Sequence, residues 1–150
     1  MKTFAFTRSV CIDAPLEKVF AFHTDTENLK AITPPGITVK ILRMDRPVAE
    51  GSRIDLEITQ LGVTTPWHLH ISRFVPGSEI EDTALDVGPF VSWRHHRSFA
   101  QEAGGTRMTD RVTFAPKGGI FGWLLLPGIY LFLARMFAFR HRWTRRLLEA

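Results

Sequence analysis

Cysteine is almost missing from this chain of 150 residues: Cys11 stands alone, which excludes an internal disulfide and fits a reducing compartment, the cytoplasm. An export signal is missing too, because residues 1–15 alternate apolar and polar side chains instead of carrying a charged start and an unbroken apolar run. A glycine-rich phosphate loop and a nucleophile motif are also lacking. The apolar stretch 120–139 falls short of a membrane span, since Pro127-Gly128 breaks it and Arg135 interrupts it. Excess charge is confined to one end. Residues 135–150 carry Arg135, Arg140, Arg142, Arg145 and Arg146 against Glu149, which accounts for the whole formal charge of +4 and leaves a neutral body. Basic residues gathered at one helix end, and not interleaved with exposed aromatics, give no expectation of nucleic-acid binding. They suit the negative end of a helix dipole, and they leave peripheral membrane contact open as an alternative.

What is present is enough apolar sequence for one domain, 1–150, with its own core. Phe4, Phe6, Val10 and Ile12 fall on one face at period two, so residues 3–12 predict a strand. Asp13 and Pro15 predict the start of a short helix over 16–23 that buries Leu16, Val19 and Phe20. Thr24 with Glu27 reads as a capping box for a second short helix that ends at Pro34-Pro35-Gly36. From 37 to 115, strand patterns recur about every ten residues. Turn signals at Glu50-Gly51, Leu61-Gly62, Pro76-Gly77, Gly88-Pro89 and Gly104-Gly105 separate them. Trp67, Leu69 and Ile71 alternate with His68, His70 and Ser72, giving an antiparallel meander with one dry face. The cover for that face is residues 120–148, expected as one helix whose buried stripe is Phe132, Met136, Phe139, Trp143 and Leu147.

The densest chemistry lies on the strand around Trp93, His95, Arg97 and Phe99. A two-residue turn at Gly104-Gly105 would set Phe99 opposite Asp110 and Arg97 diagonal to it, on a face shared with Met108, Val112 and Phe114. A buried carboxylate needs a cation or hydrogen-bond donors, so Arg97 and Asp110 are expected to pair. That pair is either a polar anchor for a ligand head or a satisfied ion pair without a ligand role. His95 is a ligand contact, a general base or acid, or a core histidine, and Asp110 is the other candidate base. His68 and His70 share a strand face suited to two metal ligands, but they point to the wet side and nothing at suggestive spacing completes a site. Neither metal nor cofactor is expected.

Several stretches together resemble one family: Ile12-Asp13-Ala14-Pro15 with Val19-Phe20, residues 29–35, Gly51-Ser52, Trp67 with Ile71, Gly88-Pro89-Phe90 with Trp93, His95 and Phe99, then Gly105, Thr106, Met108 and Asp110, and finally Phe137-Ala138-Phe139-Arg140. This is the START-like superfamily known as SRPBCC, which includes polyketide cyclase/dehydrase and coenzyme Q-binding proteins. The family branch reads Trp-x-His-x-His-x-Phe in this strand, and Arg97 stands at its second histidine. The resemblance implies an α+β helix-grip fold, a curved antiparallel sheet with two short helices and a long C-terminal helix over a hydrophobic cavity. It implies binding or carriage of a lipid, isoprenoid, quinone or polyketide-like molecule. A cyclase, dehydratase or hydrolase acting on such a molecule is the alternative, and a peripheral membrane adaptor is another. The expected lining is Trp67, Trp93, His95, Arg97, Phe99, Met108, Asp110, Val112, Phe114 and Tyr130, around a cavity of several hundred Å3. Surplus apolar surface in 120–133 adds homodimerisation as an expectation.

Overall fold

The computed structural model describes residues 1–149 and is built on one seven-stranded antiparallel sheet in the order β1-β7-β6-β5-β4-β3-β2. The strands are β1 (Phe4–Ile12), β2 (Ile37–Met44), β3 (Arg53–Gln60), β4 (Val63–Val75), β5 (Glu79–Val87), β6 (Phe90–Glu102) and β7 (Gly105–Pro116). Each of β2 to β7 pairs with its neighbour in sequence, and β1 closes onto β7. Period-two alternation carries through: Ile54 and Leu56 of β3 and Ile71 of β4 are buried. His68 stays on the wet face and bonds Asp55 at 2.9 Å.

Between β1 and β2 lie α1 (Leu16–Thr24) and a 3-10 helix, Thr26–Ile32. Their capping differs from expectation. Pro15 itself occupies the N-cap of α1 without a side-chain bond, and the backbone N–H of Asp13 donates instead to Glu149. The Thr24 hydroxyl donates back to the Ala21 carbonyl of α1, so the 3-10 helix is capped by Asp25, whose carboxylate accepts from the Glu27 N–H at 3.1 Å. A hydroxyl already spent on the preceding helix cannot cap the next one.

The expected C-terminal helix is two. α2 (Ile120–Trp123) is a single turn and α3 (Leu126–Leu148) follows after a short break. Pro127 explains it: its ring has no N–H for the Trp123 carbonyl and is tolerated only in the first turn of a new helix. The buried stripe of α3 is also rotated from the expected one. Leu133, Met136, Phe137, His141, Thr144 and Leu148 face the sheet, while Phe132 and Leu147 are exposed. In the second half of α3 the sheet-facing stripe carries the polar His141 and Thr144, so hydrophobic periodicity alone points to the wrong side.

The β6–β7 turn is Ala103-Gly104, not Gly104-Gly105, with Glu102 opposite Gly105 and Arg97 directly opposite Asp110. Gly104 takes the positive φ of the turn, at 85°. Gly105 serves a different purpose, because a Cβ there would lie 2.1 Å from the Ile12 carbonyl oxygen of β1. Two apolar clusters fill the space between sheet and helices, one around Val19, Phe20, Phe99 and Met108, the other around Trp93, Val112, Phe114 and Phe137.

Candidate functional site

Side chains from β5, β6, β7 and α3 meet in a buried polar cluster on the dry face of the sheet. Asp110 is its centre and is 3% exposed. His95 Nε2 donates to Asp110 Oδ1 at 2.6 Å, and His141 Nε2 donates to Oδ2 at 2.5 Å, so each carboxylate oxygen receives one imidazole. Burial pushes the Asp110 carboxyl upward, but the bonds from His141 and then His95 outweigh it and hold the group well below the usual carboxylate range. Arg97 is therefore not Asp110's partner. Its Nη2 approaches Asp82 Oδ2 at 3.4 Å and its Nη1 donates to the His23 carbonyl at 3.3 Å. The reason is geometric: the histidines occupy both Asp110 oxygens, while Asp82, in register with His95 on β5, faces inward beside Arg97.

His95 is fixed on several sides. Its other nitrogen, Nδ1, stands 3.9 Å from Asp82, and its ring meets Phe137 edge to face at 5.3 Å. Arg140 of α3 lies with its guanidinium 5.2 Å from the centre of the Phe137 ring, and burial lowers its pKa to about 10. Among the described residues, the buried Nε atoms of Arg97 and Arg140 have no hydrogen-bond partner, nor has Nε2 of His23. Burial first, and Arg97 second, lower the His23 pKa to about 3, which keeps this ring neutral at physiological pH.

These groups form one end of a cavity of about 100 Å3. Its apolar walls include Ile54, Leu56 and Ile71 of the sheet, with Leu29 and Ile32 of the 3-10 helix opposite. Of the residues expected to line it, Trp67, Trp93, His95 and Arg97 do, and the two indoles meet at right angles with centroids 5.3 Å apart. The others are set back. Phe99 and Met108 pack into the core near α1, and Val112 and Phe114 pack under α3. Tyr130 donates its hydroxyl to the Ala5 carbonyl at 3.0 Å, and Asp110 sits behind His95. The volume is also well below the several hundred Å3 expected, because these large side chains fill the space between the layers.

Four contributors escaped the sequence reading: His23, Asp82, Arg140 and His141. Asp82 is in phase with Ile80 and Ala84 on β5, and His23 follows Leu16, Val19 and Phe20 at helical spacing, so both carried a periodic signal. His141 and Arg140 would have followed from the correct stripe of α3.

A curved antiparallel sheet that grips a long C-terminal helix over a cavity defines the helix-grip architecture of START-like proteins. The model of the family described as polyketide cyclase / dehydrase and lipid transport matches residues 12–139, and the chain belongs to that family. No curated protein matches it. A solved protein from Chromobacterium violaceum is similar over 99% of this chain and 97% of its own, with 19% identity and a TM-score of 0.75. A protein from Thermus thermophilus aligns over 97% and 95% of the two chains at 17% identity and a TM-score of 0.72. The di-domain ARO/CYC StfQ of the steffimycin biosynthetic pathway has a TM-score of 0.77 at 14% identity, this chain covering 51% of its length. At such identities the likeness extends to the fold alone.

Proposed function

We propose that this chain binds an amphipathic small molecule, with its apolar body against Trp67, Trp93, Leu56 and Ile71 and an anionic or acceptor-rich head at Arg97 and Arg140. One observation carries the reading. Arg140 is a half-buried cation that, among the described residues, has no carboxylate within ion-pair distance, and its Nε is buried with no acceptor. An unpaired buried charge is costly, and a carboxylate, phosphate or polarised carbonyl arriving beside it would recover that cost. Arginine suits the role because its planar fork meets such groups in two parallel bonds. The family's description, with its cyclases and lipid transport, supports a hydrophobic ligand of this kind. Native mass spectrometry of the purified chain, followed by denaturing extraction, tests it. The expected result is a stoichiometric bound mass carrying an acidic or carbonyl group, lost in Arg140→Gln while the melting temperature is kept. A wild-type chain with no bound mass, or a mass that Arg140→Gln retains equally, overturns the reading.

A second reading rests on His95 itself. Its Nε2 is tied to Asp110, which leaves Nδ1 toward the cavity, an arrangement in which a carboxylate orients an imidazole for proton abstraction. Conversion of the bound molecule by wild type, and its unconverted retention by His95→Gln, would establish a cyclase or dehydratase. Equal conversion by both would remove His95 from the chemistry.

A further inference from the structure

The corner between β7 and α3 leaves an unusual density of large apolar side chains in solvent. Ile120, Phe121 and Leu124 are 72%, 80% and 75% exposed, and Leu125, Leu131, Trp123 and Phe132 join them within a short segment. Chains that remain monomeric in water rarely leave so contiguous an apolar surface uncovered. The same face continues along α3 into a groove of about 560 Å3 walled by Leu131, Phe132, Met136 and Phe139, with Arg135 and Arg142 at its edges.

Charge decides what covers this face. No aspartate or glutamate occurs between Asp110 and Glu149. Lys2 lies 5.1 Å over the Trp123 ring, and Arg142 lies 5.6 Å over Phe139. Among the described residues Lys2, Arg135 and Arg142 form no ion pair. A second copy related by a two-fold axis would set these cations against their own images with no carboxylate of the face to oppose them. A sheet of lipid phosphates opposes all of them at once. Crossing the bilayer is a different matter, since no described helix is long and apolar enough to do so.

We propose that the corner formed by α2 and the outer face of α3, from Leu131 to Arg142, docks onto an anionic lipid bilayer. Phe121, Leu124 and Leu125 enter the acyl boundary, Trp123 sits at headgroup depth, and Lys2, Arg135 and Arg142 lie against the phosphates. The proposal concerns a surface separate from the cavity and does not depend on the cavity's ligand.

Co-sedimentation of the full chain with vesicles tests it. The chain is expected to sediment with phosphatidylcholine vesicles that contain phosphatidylglycerol, more weakly with phosphatidylcholine alone, and less as salt rises. Arg135→Gln with Arg142→Gln should weaken the anionic binding about thirtyfold, the effect of two cations near a charged surface. Phe121→Asp with Leu124→Asp should abolish it. All four side chains are outside the core, and an unchanged circular dichroism spectrum confirms that each variant is folded. Absence of binding at low salt, or wild-type binding by the Phe121→Asp, Leu124→Asp chain, overturns the proposal. So does a dimer in sedimentation velocity that this same pair of substitutions dissolves, which assigns the face to a second copy.

Discussion

Burial of His23 couples the stability of this fold to pH. Its folded pKa, about 3, lies below the ordinary 6.5, so between these values the unfolded chain binds a proton that the folded one does not. Stability therefore rises with pH across that window and is lost as pH falls below 6.5, by about 2 kcal/mol at pH 5. Asp110 adds to the loss further down. Its depressed folded pKa gives stability that is present above the normal carboxylate range and disappears as the group is protonated. Urea midpoints measured from pH 7 to pH 4 should fall steadily in wild type. In His23→Phe the upper part of that slope should flatten, and a slope unchanged by the substitution would place the proton elsewhere. Asp110→Asn removes the charge that holds two imidazoles, and at pH 7 it should destabilise by about 3 kcal/mol, read from the same urea curves. None of this could be read from Asp110 and Arg97 as sequence. Both were recognised as inward-facing, but which charge meets which depends on His141, delivered from α3 thirty-one positions away.

At the scale of elements, glycine and aromatic positions separate what local sequence shows from what packing decides. Gly105 carries no positive φ, yet a Cβ there would strike the Ile12 carbonyl where β1 ends against β7. Gly105→Ala should cost about 3 kcal/mol as β1 is forced away, whereas Gly104→Ala should act through turn strain alone; thermal unfolding of the two variants compares them. The strands were legible because alternation of Ile54, Asp55, Leu56 and Glu57 names both the element and its dry face. The turn at Ala103-Gly104 was not, since two adjacent glycines allow two registers and the close approach of β1 selects one. α3 presents the same ambiguity in its rotation. Phe137 stacks on Phe6 with centroids 5.7 Å apart and is 1% exposed, while Phe139 borders the outer groove. Phe137→Ala should therefore cost about 4 kcal/mol and Phe139→Ala about 1 kcal/mol or less. Equal costs would mean that the helix sits in the other rotation.

For the molecule as a whole, the decisive quantity is room. A cavity of about 100 Å3 holds a few waters, whereas a drug-sized ligand occupies a site of about 300 Å3 or more. Either the ligand is very small or the walls move. The sheet walls cannot move cheaply, because β3 to β7 are tied on both sides by ladders and their inward residues form the two clusters. The opposite wall is weaker. Beside Phe22 and His23 of α1 and Arg140 of α3, it is made by the 3-10 helix, seven residues held by short-range bonds and capped by one exposed contact from Asp25, with Ile32 its buried residue. Outward displacement of Leu29 and Ile32 would enlarge the cavity without breaking a single strand ladder. Hydrogen exchange of the ligand-free chain should therefore show the amides of Asn28 to Ile32 opening at least tenfold faster than those of Trp93 to Phe99, consistent with local rather than global unfolding. Loading the cavity should slow the first group and leave the second unchanged. Protection in the 3-10 helix equal to that of β6 before loading would mean that the wall is rigid and that the cavity admits nothing larger than it now holds.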